Sequence, residues 1–296
     1  MRAYYSDVFE LPLPDGHRFP VDKYRRLRLR VATFADALGI RLVEAPAARM
    51  SELALTHTDE YLRKVRQGQL TALEQRRIGF PWSEAMVRRC RHSAGGTLAA
   101  ASAALDDGVG VHLAGGTHHA LADAGQGFCV FNDVAVATRV LMAQGRMRRA
   151  VAIDCDVHQG NGTAALFAGD DRLFTFSMHG DRNYPFRKCE GDLDIALADG
   201  TEDEAYLSTL RAVVGDQLPL DGADCVFYLA GADPYVDDRF GRLALTKAGL
   251  AARDQIVLEA CRRRQIPLVI VMAGGYAANL EDIVEIHAKT VELAAK

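Results

Sequence analysis

No stretch of this chain approaches the about 18 uninterrupted apolar residues that a membrane-spanning helix needs. Positive charge is not in excess either: 35 Lys and Arg stand against 39 Asp and Glu, for a net charge of −4. A generic nucleic-acid binder is usually basic, so direct phosphate binding is not expected. Cysteines are few and scattered, at positions 90, 129, 155, 189, 225 and 261, with no Cys-x-x-Cys pair. That spacing excludes a zinc ribbon and a dithiol redox motif. Met1–Asp7 has a charge but no apolar segment after it, so no secretory signal is expected. The resulting expectation is a cytoplasmic protein with six reduced thiols. Cys90, Cys155, Cys225 and Cys261 lie among apolar residues and suit small buried positions. There is no internal repeat, no low-complexity tract and no Pro/Ser-rich linker.

What the chain does have is enough apolar material for a large core. Hydrophobic residues make up 49% of 296, and charged residues 25%, as in an ordinary folded domain. Four short apolar runs stand out: Val109–Ala114, Ala150–Val157, Cys225–Ala230 and Pro267–Ala273. Each is rich in Val, Ile, Leu or Ala and closely followed by Gly or Asp, the pattern of strands buried on both faces of a parallel sheet. Helices are expected between them. Ser83 caps an Ala-rich helix toward Leu105, weakened in its middle by Gly95-Gly96. Asn132 or Asp133 starts a helix that stops near Gly145, Asp203 or Glu204 starts another, and Thr246 caps a third. Strand–helix alternation predicts one α/β domain over residues 1–296, with a central, mostly parallel sheet. Gly180–Thr201 is predicted to be the longest irregular loop.

Ligands of open parallel sheets bind beyond the carboxyl ends of the strands. Those ends carry Gly115-Gly116-Thr117-His118-His119, then Asp154, Asp156 and His158, then Gly231-Ala232-Asp233, then Gly274-Gly275-Tyr276. Asp154, Asp156 and His158 recur with period 2, so on a strand they would share one face. Buried ionisable groups need partners, and a divalent cation such as Zn²⁺ would satisfy two carboxylates and an imidazole. Asp156, His158 and Asp233 are the expected ligands, leaving a coordination position for water, with Asp154 behind them. Each element alone is unspecific, since a strand-end Asp is commonly a helix cap or turn residue. Their joint occurrence at the ends of separate buried runs is not.

The segments Gly115–Ala120, Gly127–Asp133, Ile153–Thr163, Ala230–Asp233 and Ala273–Tyr276 resemble the histone deacetylase family, within the arginase–deacetylase superfamily. His57-Thr58-Asp59-Glu60-Tyr61-Leu62 looks like that family's early H-x-x-x-Y-L segment. Asp156-Val157-His158-Gln159-Gly160-Asn161-Gly162 looks most like class IV deacetylases and their bacterial relatives. The resemblance implies an arginase/deacetylase-like fold and one Zn²⁺ on Asp156, His158 and Asp233. It makes His118 and His119 the catalytic histidine pair and Tyr276 the oxyanion donor. His119 is the expected general base and acid. Asp154 would keep His118 charged, and Asn161 would orient His119. Gly127 and Phe128 would line an acyl-lysine tunnel. A structural K⁺ or Na⁺ would be held by Asp154 and Ser177 with the carbonyls of Asp156, His158 and Met178. Many relatives carry Asp at position 161; Asn orients without adding charge and should leave His119 a weaker base.

The implied substrate is an acyl-lysine peptide or protein, or alternatively an acetylpolyamine or other small acylated amine. Arg182, Arg187 and Lys188, in a segment the resemblance places near the tunnel mouth, argue against polycations. A two-manganese ureohydrolase is disfavoured, because Gly160 and Tyr235 stand where its extra carboxylates would be. An inactive acyl-amine binding module is disfavoured because no expected ligand, histidine or tyrosine is lost.

Overall fold

The computed structural model describes residues 1–296. Eight strands form one sheet: β1 (Arg2–Tyr5), β2 (Arg41–Glu44), β3 (Val109–His112), β4 (Ala150–Asp154), β5 (Leu173–Gly180), β6 (Leu193–Leu197), β7 (Cys225–Leu229) and β8 (Leu268–Val271). Their spatial order is β2-β1-β3-β8-β7-β4-β5-β6. Every pairing is parallel. Helices cover both faces. Leu27, Leu210, Leu250 and Ile283, from helices Asp22–Ala32, Asp203–Asp216, Lys247–Arg264 and Leu280–Ala294, pack in one core layer. Ala100, Ala104 and Val134, from helices Glu84–Asp107 and Asp133–Ala143, pack in the other.

The four apolar runs are the four adjacent central strands β3, β8, β7 and β4. The strands are shorter than the runs. β4 ends at Asp154, so Asp156 and His158 lie on the loop beyond it and not on a strand face. Four strands have no matching apolar run. β2 and β6 are the sheet edges and are only partly buried, so neither needs a continuous apolar sequence. β1 is four residues long, and β5 carries Thr175, Ser177 and His179. The segment expected to be an irregular loop, Gly180–Thr201, therefore contains β6.

Ser83, Asn132 and Thr246 accept hydrogen bonds from Met86 N, Ala135 N and Gly249 N and so cap their helices. The expected helix is present as Glu84–Asp107 and runs unbroken through Gly95-Gly96, the pair expected to weaken its middle. A Cβ at Gly95 would lie 2.1 Å from Pro46 O, and one at Gly96 would lie 2.6 Å from the His112 ring. These glycines are close-approach positions, and packing outweighs their poor helix propensity.

The loops after β4 and β7 are tied together from behind. Arg253 is fully buried, and its guanidinium donates to Gly231 O at 2.6 Å and to Cys155 O at 3.3 Å. It also pairs with Asp254 Oδ1 at 2.9 Å, which accepts from Tyr228 OH at 2.6 Å. Asp254 Oδ2 accepts from Thr290 Oγ1 at 2.5 Å.

Two stability measurements check this account. In an exposed helix Gly→Ala gains about 1 kcal/mol. Here Gly95→Ala should lower the thermal midpoint, because overpacking costs about 1–3 kcal/mol; a raised midpoint would refute the close-approach argument. Arg253→Ala leaves a buried carboxylate unpaired and should cost about 3–5 kcal/mol in urea unfolding, whereas a loss below about 1 kcal/mol would mean the clamp is idle.

Candidate active site

The residues singled out at the four run ends converge at the carboxyl edge of the sheet centre. The Gly115-Gly116-Thr117 turn after β3 is set by the Asp133 carboxylate. It accepts from Gly116 N at 2.8 Å, Thr117 N at 2.7 Å and Thr97 Oγ1 at 2.6 Å. The left-handed φ of 79° and 75° at Gly115 and Gly116 suits glycine. Gly116 also lies against Ala273, where a Cβ would come within 2.6 Å of Ala273 Cα. The turn delivers His118 and His119, both buried, with ring centroids 4.1 Å apart.

His118 Nδ1 is 2.6 Å from Asp154 Oδ2, and His119 Nδ1 is 2.7 Å from Asn161 Oδ1. Burial opposes charge on His118, but Asp154 and Asp156 outweigh it and hold its pKa up at about 9. His119 has no such carboxylate. Burial, then the neighbouring His118 and His158, push its pKa well below the ordinary value. The two adjacent imidazoles thus differ in charge because one faces an acid and the other an amide. With the amide oxygen accepting from Nδ1–H, His119 keeps its Nε2 lone pair free.

Asp156, His158 and Asp233 form a cluster whose ligand atoms all lie within 4.8 Å of one another. Backbone amides hold both oxygens of Asp156, with His158 N donating to Oδ1 at 2.9 Å, and one oxygen of Asp233. Asp156 Oδ2 accepts from Gly274 N at 2.6 Å, and Asp233 Oδ1 accepts from Val157 N at 2.9 Å. Asp156 Oδ1 and Asp233 Oδ2 face His158 Nδ1, at 3.0 Å and 3.2 Å. Asp233 Oδ2 is buried with no hydrogen-bond partner. Burial and then Asp156 raise the Asp233 pKa to about 7. Burial opposes charge on His158, yet the two carboxylates lift its pKa to about 10. Two carboxylate oxygens and an imidazole nitrogen aimed at one point, one oxygen unsatisfied, fit a divalent cation of the zinc type.

Tyr276 follows β8 through Gly274-Gly275. A Cβ at Gly274 would sit 1.8 Å from Asp233 Oδ2, so only glycine lets this loop approach the cluster. Burial, then Asp156 and Asp233, raise the Tyr276 pKa well above its usual value, and the hydroxyl stays an O–H donor. Its ring lies 6.4 Å from that of His158 and 6.0 Å from that of Phe128. Gly127 backs onto His119, where a Cβ would come within 2.6 Å of the ring. Gly127, Phe128, His119, His158 and Tyr276 all line one open cavity of about 570 Å³. On the far side of Asp154, β4 pairs Asp154 with Ser177 of β5, and Met178 follows it. The Ser177 hydroxyl is 2.9 Å from His179 Nδ1.

Several residues at the site carry no local sequence signal. Lys23 is buried, and its ammonium donates to Gly275 O at 3.2 Å and Ala273 O at 3.4 Å. Asp238 Oδ2 accepts from Tyr276 N at 2.6 Å, and Arg239 Nε donates to Tyr276 O at 2.7 Å. The Tyr184 ring stands edge-on to His119 at 4.9 Å. Lys188, expected at the mouth, turns inward and donates to the carbonyls of Asp181, Asn183 and Pro185.

Residues 17–291 match the histone deacetylase domain. The chain is 41% identical over 285 residues to an uncharacterised protein of Picosynechococcus, covering 96% of this chain and 95% of that one. It is 29% identical over 287 residues to histone deacetylase 2 of Arabidopsis thaliana, covering 91% of this chain and 72% of that one. A crystal structure of a histone deacetylase homologue complexed with SAHA superposes with a TM-score of 0.82 at 24% identity, over 100% of this chain and 84% of that one. That last likeness establishes the arginase/deacetylase-type α/β fold, and the domain match establishes the family. The chain belongs to the histone deacetylase family, whose chemistry is amide hydrolysis.

Proposed function

We propose that this protein is a zinc-dependent amidohydrolase that removes acyl groups from lysine side chains. The observation that carries the reading is the pairing of two different sites: a cation-demanding Asp156–His158–Asp233 cluster that reaches the cavity through His158, and a buried His119, lining the same cavity, whose Nε2 is left free. Asp156, His158 and Asp233 would hold one Zn²⁺. Bound there, the ion supplies polarisation of the amide carbonyl and acidification of water.

The chain's own residues account for the remaining chemistry. His119, neutral and oriented by Asn161, takes the proton of the attacking water at Nε2 and returns it to the departing lysine amine. His118, held positive by Asp154, stabilises the negative charge that develops on the carbonyl. The Tyr276 hydroxyl donates to the same oxygen, its backbone fixed by Asp238 and Arg239. Gly127 and Phe128 flank the acyl-lysine stem. A structural K⁺ or Na⁺ at Asp154 and Ser177, with the carbonyls of Asp156, His158 and Met178, completes the proposed ion set. The setting is proposed to be cytoplasmic; no helix is long and apolar enough to cross a membrane.

The small acylated amines remain the second substrate class. Acetylpolyamines keep at least one free ammonium group, and the cavity has no Asp or Glu among its lining residues to receive it, so the peptide reading is the better one.

Elemental analysis should find about one equivalent of zinc-type metal per chain. His158→Ala should lose it, and two tightly held manganese ions per chain would overturn the assignment. Binding requires His158 to lose its proton, and its metal-free pKa is about 10; Asp233, at about 7, must be ionised as well. Affinity for added Zn²⁺ should therefore fall between pH 8 and pH 6; a pH-independent affinity would contradict the ligand set. Kinetic variants test the proton path. His119→Ala should lower kcat by about 10²–10⁴ with metal retained, and Tyr276→Phe by about 10²–10³. Near-normal turnover of His119→Ala would refute its role. The assay panel should pair acetyl- and long-chain acyl-lysine peptides with acetylputrescine and acetylspermidine; higher kcat/KM for the polyamines would refute the peptide reading.

A further inference from the structure

The cavity is rich in exposed guanidinium groups, termed the arginine ring. Arg18, Arg76, Arg77, Arg182, Arg239 and Arg242 all line it, and no carboxylate does. They come from four separate segments: the chain before helix Asp22–Ala32, the end of helix Ala72–Ile78, the loop after β5 and the loop after β7. All six are exposed, whereas His119 and Tyr276 are buried, so the positive charge lies on the exposed part of the cavity and not at the reacting end. The concentration does not follow from composition, because the chain as a whole carries −4.

Local roles explain only part of it. Arg76 and Arg77 sit in the last turn of their helix, where the macrodipole favours cations by about 0.3–1 kcal/mol. Arg18 lies over the Phe240 ring at 5.7 Å, and Arg239 holds Tyr276 O. Arg182 and Arg242 share one carboxylate, Asp199, at 3.8 Å and 3.2 Å. Arg18, Arg76, Arg77 and Arg239 make no ion pair at all with an acidic side chain within 4.0 Å. Guanidinium groups gathered in one cavity raise one another's electrostatic energy, and an anionic ligand relieves it. Arginine's planar fork matches carboxylates in particular.

Resting on the amidohydrolase reading above, we propose that the substrate is an acyl-lysine set in an acidic stretch of polypeptide. Its flanking Asp and Glu side chains lie against this arginine ring. The chemistry at the bottom of the cavity requires an acylated primary amine, which a lysine side chain supplies. The six arginines come from four separate segments of the cavity lining, more cationic groups than one small anion can engage, which fits a polypeptide with acidic residues before and after the acyl-lysine. Lysine-rich, histone-tail-like sequences are repelled by the same field. Phe186, 88% exposed on the rim beside Tyr184, offers an apolar patch that a crossing peptide would cover.

The test uses labelled peptides with a central acetyl- or octanoyl-lysine, flanked on both sides by Glu, by Ser or by Lys. Both fluorescence-anisotropy affinity and kcat/KM are read at low and high salt. The Glu-flanked peptides should exceed the Lys-flanked ones by about tenfold or more at low salt, and the ratio should shrink as salt rises. The Arg76→Glu/Arg77→Glu/Arg242→Glu variant should reverse that ratio. Because the ratio is internal to one protein sample, partial misfolding of the variant does not change it. Equal affinities, a Lys preference, or an unchanged ratio in the variant would overturn the proposal. So would a single-stranded oligonucleotide that displaces the Glu-flanked peptide better than the same peptide unlabelled. Hydrolysis of all peptides without discrimination would sink the ring and leave the amidohydrolase reading standing. A Glu preference in binding with no hydrolysis would do the opposite.

Discussion

The arrangement depends on two carboxylates, Asp156 and Asp233, being buried within reach of one another at the ends of adjacent strands. Burying one unpaired carboxylate is costly and burying two in contact is worse. The fold answers by fixing one oxygen of each with the amides of Gly274 and Val157. The remaining oxygens are left to His158 and to whatever cation joins it. Positive groups surround the pair at longer range. His118 lies on one side, and Lys23, whose burial lowers its pKa to about 8 against the pull of Asp233 and Asp156, lies under the Gly275 carbonyl. Arg253 holds the carbonyls of Cys155 and Gly231, each within two residues of one of these carboxylates. Cation demand is therefore a property of the folded chain, and not only of its chemistry.

The glycines near the site follow from the same constraint. Loops from four strands must meet around a cluster only a few ångströms across, and the backbone itself has to enter it. Gly274 passes Asp233, Gly160 passes Asp154 (a Cβ there would be 2.4 Å from Asp154 Oδ2), and Gly162 passes the carbonyl of Ala120. Each admits a backbone where any side chain would collide.

How much of this was legible in the sequence depended on whether the signal was local. The strands that deliver the site are central, buried on both faces, and so were written as continuous apolar runs. Edge strands β2 and β6 face water in part and left no such mark. The period-2 reading of Asp154, Asp156 and His158 selected residues that do come together, but by a different geometry. β4 ends at Asp154, and the loop brings Asp156 and His158 round to Asp233. Lys23 and Arg253 were not legible, because each is a single charged residue on an ordinary helix. Its meaning lies in carbonyls 250 and 98 positions away along the chain. Of the basic residues expected at the mouth, Arg182 lines the cavity, whereas Arg187 and Lys188 do not. Arg182 stood out in its loop, but Arg18, Arg76, Arg77, Arg239 and Arg242 come together only when separate segments are folded onto one cavity.

The two halves of the site are built on different principles, and this separates chemistry from choice of substrate. The reacting end is buried, and its carboxylates and imidazoles are each anchored through at least one atom by a backbone amide or a paired side chain. A substitution there disturbs several contacts at once and is tested against folding itself. The mouth is made of exposed side chains on loops and helix ends, where surface charges contribute little to stability. Apart from Arg239, which holds the Tyr276 carbonyl, arginines can be gained or lost there without touching the buried ionic network. A family chemistry fixed by the interior can therefore be aimed at substrates of different charge by changing the rim alone. In this chain the rim carries the opposite sign to the protein as a whole, which is the pattern expected when charge at the mouth serves recognition and not solubility.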